Sequence, residues 1–275
     1  GNTTATEPSS GDAGYAQDVW GAEYVLVHHM QGASASTLED STANAQDVTA
    51  SAGDPTIGAG SLMGNNLELD GTSDYITIPN DASQDTGSEL TISQWFYTTT
   101  NQSQIGLVKH GPGTTAEYQY MTYLSGDSAD LSFYIKTGGV TYLPGYSCGT
   151  GCLADGVWHQ FVGTYDRSDG TRIKTYFDGT LAGTDVGEDA DIDVGAQGIT
   201  MGRWTGGTFN GNLDEARILN TAKDADWIST DYNNHKTPAT FYAIGSQEKA
   251  PPGKRKAIII SQFFGNIFDF CQYLW

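Results

Sequence analysis

Aromatic side chains that could stack on sugar rings form one set of candidate functional residues in this sequence. A sugar site needs such platforms, together with planar polar groups at a groove or rim. Trp204 is the strongest candidate, because it lies in a glycine-rich loop, residues 203–207, with little core to join. The other candidates are tyrosines, each of which could instead be a partly buried sheet residue: Tyr118, Tyr120, Tyr134, Tyr142 and Tyr146.

The positions of these aromatic residues within apolar stretches predict which side of a strand each would occupy. Alternation along a strand places Tyr118 and Tyr120 on the same face. It places Tyr134 opposite to the apolar residues on either side of it. Trp95 and Trp158 lie in apolar stretches, so we expect them in the core rather than in a site.

The sequence offers little support for catalysis. Glycoside cleavage needs two carboxylates facing one cleft, and the nearest series, residues 188–193, lies among glycines and has the character of an acidic loop. No Gly-x-Ser-x-Gly motif is present, and the five histidines have no evident serine or cysteine partner. His28 and His29 are adjacent, so on a strand they point to opposite faces. We therefore expect no enzymatic activity.

Two of the three cysteines, Cys148 and Cys152, flank the flexible segment Gly149-Thr150-Gly151. This spacing allows their sulfur atoms to meet. A disulfide here would indicate an oxidising, extracytoplasmic compartment, and two free thiols are the alternative.

The charge balance is strongly acidic. The chain has 275 residues with 33 Asp and Glu against 13 Lys and Arg, giving a net charge of −20. Such a surface repels phosphate backbones, which disfavours nucleic acid as a partner. Acidic residues also keep proteins soluble in salty media and supply oxygen ligands for calcium, so the composition alone does not decide between these roles.

Short apolar stretches separated by Gly and Asp turns recur through the central part of the chain, which is typical of a sandwich or barrel. The strongest hairpin signal is Asp178-Gly179, and Gly138-Gly139 is a second one. We expect one helix over residues 221–233, capped by Thr221 and closing one end of the sandwich.

Composition divides the chain into three parts. Residues 1–18 are rich in Gly, Ser and Thr and predict a flexible leader, and residues 19–248 form the predicted β domain. Residues 249–275 carry a charge of +3 and are first basic and then apolar, with near-helical spacing. They predict an amphipathic segment for docking to a membrane surface or a partner, or for self-assembly, without a transmembrane span. A non-native extension is the alternative.

Three motifs in order resemble the laminin-G-like, concanavalin A-like jelly-roll superfamily found in large bacterial surface proteins. They are the strand pair of residues 67–79, the Trp-His and Asp-Gly hairpin of residues 156–179, and the closing strand of residues 209–218. The resemblance implies an all-β fold, in which two antiparallel sheets pack face to face and a short helix follows near the end. The superfamily includes lectins, adhesion modules and some glycoside-cleaving enzymes, so the fold does not decide the function.

The resemblance also implies a structural calcium ion at the rim of the sandwich. The matching carriers here are Asp70, Asp74 and Asp214, with backbone oxygens completing the shell. Alternatively, Asp70 and Asp74 shape a turn and Asp214 caps a buried backbone amide.

These observations predict a secreted or surface-located, non-enzymatic recognition or adhesion module. We expect it to bind a polysaccharide or a glycoprotein glycan. Two alternatives remain open at this point: a structural subunit of a surface or filamentous assembly, and a polysaccharide hydrolase or lyase with an unrecognised site.

Overall fold

The computed structural model describes most of the central part of the chain: residues 19–60, 63–102, 105–111, 118–204 and 207–237. The predicted leader, residues 1–18, and the predicted tail, residues 249–275, lie outside the described residues. The last part of the predicted domain, residues 238–248, also lies outside them.

Strands dominate the described part of the chain, which also contains the helix α1, Ala225–Lys236, and two 3₁₀ helices, Ala35–Thr37 and Ala82–Gln84. The strands in chain order are β1 Tyr24–His28, β2 Ala50–Ala52, β3 Thr56–Ala59, β4 Asn65–Asp70, β5 Tyr75–Ile78, β6 Glu89–Tyr97, β7 Ile105–His110, β8 Tyr120–Ser125, β9 Asp130–Thr137, β10 Val140–Tyr142, β11 Gly145–Ser147, β12 His159–Asp166, β13 Ile173–Phe177, β14 Thr180–Asp185, β15 Ile199–Met201, β16 Arg203–Trp204, β17 Gly207–Thr208 and β18 Asn210–Leu219.

Two eight-stranded antiparallel sheets form the body of the fold. Sheet I has the order β14-β13-β12-β6-β18-β4-β3, and β1 pairs with β18. Sheet II has the order β10-β9-β8-β7-β15-β5-β2, and β11 pairs with β9. The strands β16 and β17 pair with each other and, within the described residues, with no other strand. The all-β sandwich predicted from the sequence is confirmed.

Both predicted hairpins are present. Asp178 and Gly179 have φ angles of 47° and 73°, and Gly138 and Gly139 have φ angles of 57° and 81°. Two consecutive residues with positive φ are what a tight I′ turn requires, because its twist matches that of the flanking strands. These turns join β13 to β14 and β9 to β10.

The main core lies between the two sheets and follows the alternation along each strand. In β9, Leu131, Phe133 and Ile135 are fully buried, while the residues between them are partly exposed. Trp95 is buried as predicted, although it stacks on Tyr232 of α1 at 5.5 Å rather than lying between the sheets. The prediction for Trp158 is wrong, because it precedes β12 and is only half-buried.

The helix begins later than predicted and covers a face rather than an end of the sandwich. Asp224, not Thr221, is the cap, because its carboxylate accepts a hydrogen bond from the backbone N–H of Trp227 at 2.8 Å. The carbonyl of Thr221 instead accepts the hydroxyl of Thr91 at 2.6 Å, which ties this loop to β6. Ile228 packs on the outer face of sheet I. In the described part of the chain, no helix is both long and apolar enough to cross a membrane.

Candidate binding cleft

An open polar cleft of about 410 Å³ lies where three backbone segments meet: the end of β2, the turn between β4 and β5, and the β16–β17 hairpin. Of the described residues that line it, one carries a ring and one carries a charge, Tyr75 and Arg203 respectively. None of these lining residues is an Asp, Glu or His. The remaining lining residues are small or carry hydroxyl groups: Ala52, Gly53, Gly71, Thr72, Ser73, Gly207 and Thr208.

Asp74 holds two walls of this cleft together from below. It is only 4% exposed, and its two carboxylate oxygens accept the backbone N–H of Asp54 at 2.8 Å and that of Asp70 at 3.1 Å. Gly53 has a φ of +73°, and a Cβ there would lie 2.0 Å from the Asp74 carboxylate. A glycine is therefore required for this close approach.

Asp70 shapes the neighbouring wall. One carboxylate oxygen accepts the backbone N–H groups of Thr72 at 2.7 Å and Ser73 at 3.1 Å. These bonds to the charged form hold the pKa of Asp70 below its usual value. The cleft wall is thus an Asx turn whose hydroxyl-bearing residues face the opening.

The β16–β17 hairpin supplies the side of the cleft that carries charge. The guanidinium of Arg203 lies over the ring of Tyr75, 4.6 Å from its centroid. The side chain of Arg203 is exposed, and within the described residues it makes no hydrogen bond or ion pair. Its donors therefore face the cleft and solvent.

Trp204 belongs to an aromatic cluster rather than to a bare loop. Its indole N–H donates to the hydroxyl of Tyr118, and its ring lies 5.4 Å from that of Tyr123. Tyr118 in turn meets Tyr134 edge-to-face at 5.6 Å. The expectation that Trp204 has little to pack against is wrong. Three of the predicted sugar-site residues, Trp204, Tyr118 and Tyr134, are brought together beside the cleft hairpin.

The sequence analysis missed Tyr123, Tyr75 and Arg203. Tyr123 pairs with Ser132 on the outer face of sheet II, so alternation in β8 is the signal that could have found it. Tyr75 and Arg203 meet through two segments far apart in the chain, and no local pattern indicates their contact.

Tyr120 and Tyr142 do not join this cluster. Tyr120 is fully buried, donates its hydroxyl to the carbonyl of Gln84 at 3.0 Å, and has a pKa raised far above its usual value by burial. The prediction that Tyr118 and Tyr120 share a face is wrong, because Tyr118 precedes β8 and contacts the outer cluster. Tyr142 lies at the far edge of sheet II, where its hydroxyl donates to Glu188 at 3.1 Å.

The three aspartates expected to hold calcium do not gather into one ligand set. Asp214 is buried in β18, and one of its oxygens accepts the backbone N–H of Glu215 at 2.8 Å. It is four residues along β18 from Asn210, the partner of Asp70, which is about 13 Å of strand. Within the described residues, no three His, Cys, Asp or Glu side chains are grouped to hold a metal. Calcium binding itself stays a prediction.

The disulfide between Cys148 and Cys152 is confirmed. The acidic series at residues 188–193 forms surface contacts: Arg167 binds Asp189 at 2.9 Å and Asp191 at 3.1 Å, and both carboxylates are mostly exposed. These carboxylates are engaged by arginine on an open surface and do not face each other across a cleft, which agrees with a loop rather than a catalytic pair.

A second charged cluster, absent from the sequence predictions, lies between α1 and sheet I. Arg217 is 7% exposed and binds Glu215 at 2.5 Å and Asp231 at 2.8 Å. His235 donates to the carbonyl of Asp231 at 2.7 Å, and His29 approaches Glu215 at 2.7 Å. Glu215 has a φ of +48° in a bulge of β18, which turns its carboxylate towards this cluster.

Comparisons with solved structures agree with this architecture. The binding domain of Paraclostridial Mosquitocidal Protein 1 has a TM-score of 0.60 at 16% identity, over 80% of this chain and 53% of that one. The binding domain of Botulinum Neurotoxin DC in complex with SialylT has a TM-score of 0.58 at 14% identity, over 78% of this chain and 51% of that one. This chain thus spans about half the length of those toxin domains.

A third similar structure is closer in length. Domain 4 of AbnA, a GH43 extracellular arabinanase from Geobacillus stearothermophilus, was solved in complex with arabinotriose. It has a TM-score of 0.51 at 18% identity, over 76% of this chain and 98% of that one. At these identities the likeness shows the fold alone.

Sequence comparison gives the family directly. No curated protein matches the chain. The profile of a laminin-G-type family, described as the concanavalin A-like lectin/glucanases superfamily, matches residues 70–229, which is more than half of the chain. The chain therefore belongs to the concanavalin A-like lectin/glucanase superfamily.

Proposed function

We propose that this protein is a non-enzymatic carbohydrate-binding module and that its ligand occupies the cleft beside the β16–β17 hairpin. The observation that carries the proposal is the cleft's lining: one tyrosine ring, one guanidinium and several hydroxyl groups around a small-residue floor. Sugars are bound by this combination of an aromatic surface and convergent polar groups.

Two similar structures support a sugar ligand. One toxin binding domain was solved with SialylT, and the arabinanase domain was solved with arabinotriose. Among the described residues that line the cleft, none is an Asp, Glu or His that could act as a general acid or base, which supports a binding role over a catalytic one. A reducing-end assay on polysaccharides checks this point, and sustained product release would contradict it.

An extracellular location is part of the proposal. The disulfide Cys148–Cys152 supports it, because such bonds persist in oxidising compartments. Labelling of free thiols on protein taken directly from its natural source should leave both cysteines unmodified, and labelling of both would contradict the location.

The decisive experiment is a glycan array followed by calorimetry on the full chain and two matched variants. Tyr75→Ala removes the ring in the cleft, and Tyr142→Ala removes a ring at the far edge of sheet II. We expect Tyr75→Ala to weaken binding at least about tenfold, equivalent to 1.4 kcal/mol, and Tyr142→Ala to leave it unchanged. Silence across the array, or equal loss in both variants, would contradict the proposal.

Calcium binding is a separate part of the proposal. Because the carboxylates of Asp70 and Asp74 already accept backbone amides, a structural ion would have to use backbone oxygens as well. Melting scans with calcium and with chelator test it: a higher Tm with calcium supports a structural ion, and an identical Tm contradicts it.

A further inference from the structure

Arg203 differs from the other arginines of the described chain in having no carboxylate partner. Arg167 and Arg172 both approach Asp189, and Arg217 binds Glu215 and Asp231. Arg203 makes no ion pair within the described residues, although the chain carries 33 Asp and Glu residues. In a protein with a net charge of −20, an arginine left without an internal partner indicates an external one.

The carboxylates nearest in sequence to the cleft make no ion pair with Arg203. Both oxygens of Asp74 accept backbone amides, and one oxygen of Asp70 accepts two amides of its own turn. Neither side chain belongs to the lining. Among the described residues that line the cleft, Arg203 therefore carries the single formal charge.

The position of the guanidinium suits a planar anion. The guanidinium of Arg203 lies against the ring of Tyr75, with its central carbon 4.6 Å from the ring centroid. This contact restricts the movement of the guanidinium. The N–H donors at the edge of the guanidinium have no partner in the described chain and form a fixed fork that matches a carboxylate. Thr72 and Ser73 line the same cleft, and their hydroxyl groups can bind the ring hydroxyls of a sugar.

We propose that Arg203 recognises the carboxylate of an acidic sugar, so that the cleft takes glycans containing uronic or sialic acid in preference to neutral ones. This inference rests on the proposed function, because it names the ligand class of the same cleft. Bidentate binding by arginine gives geometric selection as well as attraction. The acidic surface repels anions at long range, so the contact must be specific.

The test compares glycans that differ in whether the carboxylate is free or esterified, using calorimetry on the full chain. One pair is an oligogalacturonate and its methyl ester, and the other is sialyllactose and its methyl ester, which distinguishes the two carboxylate sources. We expect at least one acidic member to bind about tenfold or more tightly than its neutral partner. Equal affinity within both pairs overturns the inference but leaves the proposed function standing, whereas no binding to any glycan contradicts both.

Two matched variants assign the effect to one residue. Arg203→Met and Arg167→Met change the net charge equally, but Arg167 follows β12, binds the acidic loop of residues 188–193 and does not line the cleft. We expect Arg203→Met to abolish the acidic preference and Arg167→Met to keep it. Loss in both variants would show a general charge effect and overturn the inference. Tighter binding of a sulfated glycan than of either carboxylate would also overturn it.

Salt dependence adds an independent check. The Debye length is about 8 Å at 0.15 M salt, so added salt screens the distant repulsion more than a direct contact. Affinity for the acidic glycan should therefore persist at about 0.5 M sodium chloride. A steep loss of affinity with salt would indicate non-specific ion exchange and contradict the proposal.

Discussion

Two arginines of this sandwich occupy opposite electrostatic settings. Arg217 is buried between α1 and sheet I and binds the carboxylates of Glu215 and Asp231. Arg203 is exposed at the cleft, lies over Tyr75 and has no carboxylate partner in the described chain. The first uses its donors to hold a helix on a sheet, and we propose that the second keeps its donors for a ligand. In this proposal the same residue type stabilises the fold in one region and serves recognition in the other.

Replacing the two arginines by methionine should give the largest contrast in stability. Arg217→Met leaves Glu215 and Asp231 as buried or nearly buried charges without their partner, and we expect a loss of about 3–5 kcal/mol. Arg203→Met should change the free energy of unfolding by no more than about 0.5 kcal/mol. Urea denaturation followed by tryptophan fluorescence measures both. Similar losses in the two variants would remove the distinction between the regions.

The α1 cluster should make the stability of the protein depend on pH. Burial alone would raise the pKa of Glu215, but His235, His29 and Arg217 outweigh this and hold the pKa well below its ordinary value. The folded protein therefore keeps Glu215 charged while the unfolded chain takes up a proton near pH 4.5. This stabilisation is present above that pH and is lost as the pH falls.

Glu215→Gln tests the acid effect by removing the titrating group at nearly constant shape. We expect the variant to be less stable than the natural chain at pH 7, by less than Arg217→Met, and to lose less stability between about pH 5 and pH 3. Denaturant midpoints across this range supply the comparison. Parallel pH profiles would show that Glu215 is not responsible.

The support beneath the cleft should show a smaller but local effect. Asp74→Asn replaces one of the two acceptor oxygens by an N–H₂ group, which would then face a backbone N–H group. We expect the free energy of unfolding to fall by about 1–3 kcal/mol. Asp70→Asn is the matched control at the exposed turn and should cost less. Thermal melts and glycan affinity should both decline in Asp74→Asn. An unchanged affinity would separate Asp74 from the architecture of the cleft.

The sheet scaffold could be predicted from the sequence because its signals are local. The stretches Tyr75–Ile78 and Ile173–Phe177 alternate or contain β-branched and aromatic residues, and both are strands within the predicted strand pair of residues 67–79 and hairpin of residues 156–179. The turn at Asp178-Gly179 and the bond between Cys148 and Cys152 also depend on neighbouring residues. Patterns of this kind need no knowledge of the rest of the fold.

The cleft and the buried cluster could not be predicted in the same way, because they depend on contacts between distant segments. Tyr75 and Arg203 are separated by most of the domain, and the bulge at Glu215 breaks the alternation that places Arg217. Thr221 resembles a helix cap in sequence. However, the hydroxyl of Thr91 donates to the carbonyl of Thr221, and the carboxylate of Glu89 accepts the backbone N–H of the next residue. These bonds to β6 hold the loop, and α1 begins after it. Tertiary packing overrides the local preference there.

Amide chemical-shift mapping of the isotope-labelled full chain tests the central claim, that the cleft is the binding site, most directly. Titration with an acidic oligosaccharide should produce the largest shifts at the backbone amides of Gly53, Thr72, Ser73 and Thr208, which line the cleft. The same titration with the neutral ester should produce weaker shifts at the same amides. Largest shifts in α1 or at the Tyr142 edge, or no shifts with any glycan, would contradict the assignment.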